Sequence, residues 1–377
     1  MRIFFVGLGR VPYASRACDI RLDSFAELFV KCGATVTVIN RYSSLFKNVD
    51  EYQTHDYEVK ELVPHSKGGM IGKVLFLYSI IKEFGYLLNY RMKKGSNAIL
   101  HIYSGHFLDI FFYWFISKIC SYKIVYQYVE YRLDEKRRNP YHILNAWLVD
   151  KLSARLWDGC ISISHFLQER ALTVNSKLKT VIGPPICDFT RFDQFRGVKE
   201  NIVLYCGSAG YFEVIKFVVD SFNQSKLSAS YKLELIVAGN KFQIEEVRKY
   251  ASNAIIKTKL PYEELIKSYN HSKILMIPLR NSIKDISRFP NKVCEYAASK
   301  SVIVTTCFGE PAHFFNDKKS AMIANDYSVE AMVEALDWLA DNQNAIPMIG
   351  EEGYKEGLNA FHIEAYIGKM TAFLNSI

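Results

Sequence analysis

The chemistry-bearing residues of this sequence gather between Ile277 and Thr306. A strand pattern ends at Pro278, and a polar loop follows that carries Arg280, Ser287 and Arg288. Pro290 suits the first turn of a helix, where its missing N–H costs nothing. A helix start presents unpaired N–H groups and the positive end of the helix dipole, both suited to a diphosphate. Glu295 then falls about a turn and a half inside, and a carboxylate there can accept two hydrogen bonds from a vicinal diol such as a ribose. Phosphate at the helix start and diol at the glutamate together describe a nucleotide. Taken singly, Glu295 also reads as a solvent-facing helix residue, and Lys292 as a plain surface lysine.

The elements that must position this segment alternate. Ile3–Gly7 reads as a strand, residues 20–32 as a helix stopped by Gly33, and residues 35–39 as a β-branched strand, which makes a βαβ unit. Ala98–Tyr103, Lys123–Tyr128, residues 159–164 and residues 179–182 read as further strands. The pattern restarts at Asn201 with a strand over Ile202–Gly207 and alternates again to a strand over Val302–Thr306. Alternation of this kind predicts parallel sheets. With 377 residues, two α/β domains are expected, facing each other across a cleft at the carboxyl ends of their strands. The boundary falls in residues 183–200, giving domains over 1–190 and 191–358. Residues 359–377 form a C-terminal helix that could pack back on the first domain.

Phe289-Pro290-Asn291-Lys292-Val293-Cys294-Glu295-Tyr296-Ala297, followed by Val302-Ile303-Val304-Thr305-Thr306, resembles the donor-site motif of retaining GT-B glycosyltransferases of family 4, F-P-x-K-x-x-E-Y and then a strand. The likeness extends to residues 160–167, to Tyr205-Cys206-Gly207-Ser208-Ala209-Gly210, and to residues 126–131 with Glu130. It covers residues 120–340 in detail and the first 100 in outline. The resemblance implies two Rossmann-like domains, a nucleotide diphosphate sugar as donor, and a polysaccharide or lipid-linked oligosaccharide as acceptor. It implies Glu295 on the ribose and Gly207, Ser208, Arg280, Ser287, Phe289, Pro290 and Asn291 around the donor. Glu130, Arg288 and Lys292 are its candidate catalytic residues. It implies no cofactor and no metal, and the chain contains no Asp-x-Asp.

Two departures bear on the chemistry. Many members carry two glutamates eight positions apart, and here the first position is Ser287. An Arg and a Lys that usually follow the first donor strand are replaced by Ser208, Ala209, Tyr211 and Phe212. The nearest cation in that helix is Lys216, and Arg280, Arg288 and Lys292 are the candidates to meet the diphosphate charge instead.

Composition narrows the rest. Residues 1–199 hold 28 Lys+Arg and 18 Asp+Glu, about +10, and the remainder holds 47−28 = 19 against 39−18 = 21, about −2. A basic first half points to an anionic partner, but no nucleic-acid motif is present, so nucleic acid is not expected. The eight cysteines form no C-x-x-C pair and read as free thiols. No signal peptide is visible and no apolar run reaches membrane-spanning length, so the expected location is cytoplasmic, or peripheral on the inner face of the cell membrane. Residues 70–94 read as a helix for core packing or, alternatively, as a face resting on anionic lipid. Residues 141–151 read as an ordinary amphipathic helix. His101 and His106 flank a strand end and are minor cleft candidates. Three rivals remain: a dehydrogenase, because Gly7-Leu8-Gly9-Arg10-Val11-Pro12 partly imitates a dinucleotide fingerprint; a nucleotide-sugar epimerase; and a sugar-nucleotide-binding subunit without turnover.

Overall fold

The computed structural model describes residues 1–8, 17–43, 56–64, 69–133 and 139–377. The chain divides into two units, one of residues 1–186 with 363–377 and one of residues 187–362. The first contains, in order, β1 (Arg2–Leu8), α1 (Ala17–Lys31), β2 (Thr35–Tyr42), β3 (Glu58–Val63), α2 (Gly69–Lys94), β4 (Ala98–Ile102), α3 (Phe107–Cys120), β5 (Lys123–Tyr128), α4 (Pro140–Lys151), β6 (Gly159–Ser162), α5 (His165–Val174) and β7 (Lys179–Ile182). Its sheet runs β3-β2-β1-β4-β5-β6-β7, parallel throughout.

The second unit contains α6 (Thr190–Asp193), β8 (Glu200–Ser208), α7 (Phe212–Gln224), β9 (Lys232–Ala238), α8 (Lys241–Tyr250), β10 (Ile255–Lys257), α9 (Tyr262–His271), β11 (Ser272–Met276), α10 (Ile283–Ile286), α11 (Lys292–Ala298), β12 (Val302–Thr306), α12 (Pro311–Phe314), β13 (Met322–Ala324), α13 (Val329–Asp341) and α14 (Ala345–Phe361). Its sheet runs β10-β9-β8-β11-β12-β13, again parallel. Strand residues alternate between faces. In the first unit Ile3 and Phe5 therefore meet α1 and the terminal helix α15 (Ile367–Asn375), while Phe4 meets Tyr86 and Tyr90 of α2.

Two expectations need correction, and one strand goes unnoticed in the sequence. The C-terminal segment is not one helix: α14 stops at Phe361, His362 is extended, and a tight turn over Ile363–Tyr366 leads into α15. The strand β3 has no alternating apolar signal in Glu58-Val-Lys-Glu-Leu-Val, because it is an edge strand exposed on one face. His101 does not enter a cleft. It is fully buried between the rings of Phe5 and Phe29, and burial pushes its pKa down to about 3, which keeps it neutral. His106 stands at the residue before α3, makes no side-chain cap hydrogen bond and is exposed. Gly7 has φ +80°, and a Cβ there would lie 2.8 Å from the Tyr103 carbonyl oxygen, so local packing accounts for it. The rest of the fingerprint-like run, Gly9 to Tyr13, lies outside the described residues.

Two features fix the donor-like segment within the second unit. The Lys199 Nζ donates to the carbonyl oxygens of Asn270 (2.9 Å), Ser272 (3.2 Å) and Ser299 (3.0 Å) and to Ser301 Oγ (2.7 Å), which ties the entrances of β11 and β12 to the end of α11. Burial pushes its pKa down to about 7. In addition, α14 turns Gly350, Gly353 and Gly357 toward this region. Their Cβ positions fall 2.4 Å from Lys300 O, 2.6 Å from Ser320 O and 2.4 Å from the Ala297 methyl.

Gly357→Ala should therefore lower the thermal midpoint although alanine favours helix. Overpacking against Ala297 costs about 1–3 kcal/mol, more than the gain of up to about 1 kcal/mol from removing a helical glycine. Gly85→Ala, in mid-α2 with open space around its Cβ, should raise the midpoint. Circular dichroism melts of the two variants check the opposite signs.

Candidate functional site

β8, β11 and β12 are adjacent parallel strands, so the segments leaving them emerge at one edge of the sheet. Ligands of open α/β sheets bind at that edge. The loop after β11 is clamped to β12: Ile277 N donates to Val304 O (2.8 Å), Thr305 Oγ1 to Ile277 O (2.9 Å) and Leu279 N to Thr306 Oγ1 (3.1 Å). It is joined to the turn after β8 by Arg288, whose Nη1 lies 3.4 Å from the Tyr211 hydroxyl. The Lys284 Nζ sits 5.2 Å from the centre of the Tyr211 ring. Two cations of one loop thus surround an aromatic ring of the other.

Glu295 is a buried carboxylate of this edge, 8% exposed. Its Oε1 accepts a hydrogen bond from the Tyr262 hydroxyl at 3.0 Å, which brings the start of α9 to α11. Burial raises the Glu295 pKa, and the Lys292 ammonium and the Tyr262 hydrogen bond pull it back. The Tyr262 hydroxyl is pushed up in turn, by burial and by the neighbouring Glu295 charge. Lys292 also acts on the Cys206 thiol of β8, whose pKa burial raises. Lys292 and Glu295 therefore stand beside the end of β8.

The helix starts later than the position of Pro290 predicts. Asn291 is the cap residue and Lys292 the first helical residue, so Glu295 lies in the first turn. Pro290 instead accepts a turn hydrogen bond from Val293 N at 3.1 Å. Phe289 is buried against Phe314 and Phe361, with ring centres 5.3 and 5.6 Å away, and anchors the loop. Arg280 grips Asp285 through Nε (2.7 Å) and Nη2 (3.1 Å), and its own N–H donates to the same carboxylate at 3.0 Å. That fork shapes the loop around Ser282, which caps α10. Ser287 is buried, its Oγ 3.4 Å from Lys284 O. Gly207 lies one residue before the end of β8 with its Cβ position against the Tyr205 ring, and Ser208 Oγ accepts from Gly210 N at 3.2 Å. Lys216 pairs with Glu213 on its own helix at 2.8 Å. Glu130 belongs to the first unit, just after β5, with its Oε2 3.6 Å from Arg132 Nη2.

Tyr211, Tyr262 and Lys284 are participants that sequence reasoning does not single out. Tyr211 enters it only as a replacement for a missing cation. Tyr262 stands 33 positions before Glu295, and nothing in its own pattern marks it.

Residues 188–356 match the family model described as glycosyl transferases group 1. No curated protein matches the chain by sequence. Among solved structures, the sucrose-phosphate synthase of Thermosynechococcus elongatus is similar with a TM-score of 0.76 at 15% identity, over 99% of this chain and 98% of that one. HepE of Anabaena, in a complex with UDP and glucose, is similar with a TM-score of 0.73 at 12% identity, over 100% of both chains. A lipopolysaccharide outer core galactosyltransferase, WaaB, is similar with a TM-score of 0.66 at 12% identity, over 100% of this chain and 99% of that one. Two parallel-sheet units of this order and structural likeness along the whole length give the chain the GT-B fold, and within it residues 188–356 match the glycosyl transferases group 1 model.

Proposed function

We propose that the second unit holds a nucleoside diphosphate sugar, with Glu295 receiving the two hydroxyls of the ribose, and that the sugar passes with retained configuration to a polysaccharide or lipid-linked oligosaccharide. The observation that carries this reading is a carboxylate 8% exposed at the carboxyl edge of a parallel sheet, held by Tyr262 and beside Lys292. A buried carboxylate with lone pairs to satisfy is suited to a diol. HepE, a protein of the same fold, is described with UDP and glucose, which supports a uridine nucleotide as the first donor to try. Main-chain N–H groups near Phe289–Asn291 meet the diphosphate, and Arg288 and Lys292 stabilise the charge that grows on it as it leaves. The departing phosphate takes up the acceptor proton, and no metal ion takes part. Glu130 contacts the acceptor or the sugar.

Substitution of the usual cations after β8 by Ser208, Ala209, Tyr211 and Phe212 favours one second reading, a subunit that binds the nucleotide sugar without turnover. Transfer of label from the donor to a glycan or lipid acceptor separates the two: donor bound in many acceptor trials with no labelled product supports the subunit.

A thermal-shift panel of UDP, GDP, ADP and dTDP tests the site. At about 100 times Kd, a bound nucleotide adds about 2.7 kcal/mol, which is several degrees. Glu295→Ala should weaken the one nucleotide that binds by about tenfold to a hundredfold, as expected for hydrogen bonds to a charged group. Unchanged affinity would remove Glu295 from the ribose.

Arg288→Ala and Lys292→Ala should each weaken the diphosphate about tenfold, while leaving the affinity for the nucleoside without phosphates nearly intact. Equal losses for both ligands would mean that these cations only support the loop.

Acid should release the nucleotide. Glu295 has a raised pKa in the folded protein, and the carboxylate is the form that accepts the diol. Affinity should therefore fall on acidification beginning above the range of an ordinary glutamate, about 4.3. For stability the sign is opposite: a raised carboxyl pKa contributes stability below the unfolded value that is lost as pH rises through the folded one. Tyr262→Phe removes a hydrogen bond to the carboxylate and should move the acid limb of nucleotide binding to higher pH. Isothermal titrations across pH read the shift, and a limb that stays in place would disconnect Tyr262 from the site.

A further inference from the structure

The outer layer of the first unit carries apolar side chains outward as well as inward. α2, α3 and α4 pack side by side on the Phe4 face of the sheet. A helix on a soluble domain turns its apolar stripe inward and its charges outward. In α2 the buried positions include Ser79 and Glu83, while Met70, Ile71, Val74, Leu77, Tyr78 and Ile81 are 48–83% exposed. The expectation that residues 70–94 serve core packing thus holds for Leu87 but fails for this stripe. In α3, Leu108, Phe111, Phe115 and Ile119 recur at helical spacing and are 44–67% exposed. In α4, which is no ordinary amphipathic helix, Asn145 and Asp150 are buried and Tyr141, Ile143, Leu144 and Trp147 are 50–56% exposed. Contiguous apolar surface on this scale marks an interaction site.

Charge selects the occupant. Each helix carries a single carboxylate, and each is turned inward. Glu83 and Asp109 meet the guanidinium of Arg41 at 2.8 and 3.3 Å, and Asp150 accepts the N–H groups of Arg132 and Leu133 at 2.7 and 2.8 Å. The exposed charges of the layer are Lys73, Lys82, Lys93, Lys94, Lys118 and Lys151. In α2 they flank the apolar stripe: Lys73 lies on one side, with the half-buried Arg91 about five turns further along, and Lys82 and Lys93 lie on the other. Lys82 lies 4.9 Å from the Tyr78 ring centre and Lys118 5.8 Å from that of Trp114, so their stems cover apolar surface. A second copy of this face would bring lysines against lysines with no exposed carboxylate of these helices between them. Among the described residues, no helix is long and apolar enough to cross a membrane.

We propose that α2, α3 and α4 form a docking face for an anionic lipid bilayer, lying in the plane of the interface with the apolar stripes among the acyl chains and the lysines at the headgroups. The proposal names the surface behind a lipid-linked acceptor, yet it stands independently of the donor site.

Flotation of the full chain with vesicles tests it without donor, nucleotide or turnover. Binding is expected to vesicles of about 30 mol% phosphatidylglycerol in phosphatidylcholine at low salt, at least about tenfold weaker to phosphatidylcholine alone, and weakened by salt. Trp114 and Trp147 should report it as a blue shift in emission. The variant Lys73→Glu/Lys93→Glu/Lys94→Glu/Lys118→Glu should lose at least about a hundredfold in partitioning. Val74→Ser/Leu77→Ser/Ile81→Ser should lose binding while keeping its circular dichroism and its nucleotide thermal shift. Lys177→Glu/Lys179→Glu, on exposed lysines outside these helices, should keep binding. Three outcomes overturn the proposal: no flotation at low salt, equal loss in the Lys177/Lys179 control, or a concentration-dependent dimer in sedimentation that the triple serine variant dissolves.

Discussion

A carboxylate taken out of water is stable only where its neighbours are fixed, and the second unit is organised around that demand at Glu295. The helix that carries it, α11, has seven residues, too few to hold itself together by helix formation. It is held by packing: α14 approaches through three glycines, Lys199 fastens the exit of α11 to the strand entrances, and Phe289 is locked between Phe314 and Phe361. Rigid support of this kind holds the Tyr262 hydroxyl and the Lys292 ammonium where they offset the burial that raises the pKa of the acid. The same contacts fix the loop before α11, so the cations Lys284 and Arg288 are carried into place by the scaffold that buries Glu295.

The fold class was legible because both sheets are parallel and buried on both faces, so strands such as Ile274–Met276 and Val302–Val304 read as apolar runs between helices. β3 was not legible, because an edge strand of alternating Glu, Lys and Val carries too little apolar signal. The segment from Ile277 to Thr306 stood out because its candidate residues are close in sequence, and Glu295 and Lys292 lie on one short helix. Tyr262 and Tyr211 did not, because their roles arise from contacts 33 and 77 positions away. The position of Pro290 places the helix start two residues early. A proline fits the first turn, but here it precedes the cap and closes a turn of its own.

In the first unit, the difference between the expected and observed faces of α2 has one physical origin. Apolar periodicity reports that a helix has two faces, and it is silent on which face meets the protein. Arg41 decides the matter. Its guanidinium, from the interior strand β2, is buried and requires carboxylates, so Glu83 of α2 and Asp109 of α3 turn inward, joined by the Tyr113 hydroxyl. A buried charge left without its partners is costly. Satisfying it rolls the polar side of α2 toward the sheet and leaves the apolar side outward.

The replacements after β8 and the charges after β11 answer one another. Where the family that the sequence resembles is expected to place cations, after a strand in the position of β8, this chain places Tyr211, with Lys284 of the neighbouring loop on its ring and Arg288 at its hydroxyl. Cations held on an aromatic ring keep their charge while losing freedom of movement. Arg280, bound at both ends of its fork to Asp285, has its charge matched within the loop and instead fixes the curve on which Lys284 and Arg288 stand. A diphosphate at this edge would therefore meet charge arriving from one loop instead of two. Its stabilisation would depend on the Arg288–Tyr211 contact holding the loops together, so loss of the Tyr211 ring would cost more than loss of its hydroxyl alone.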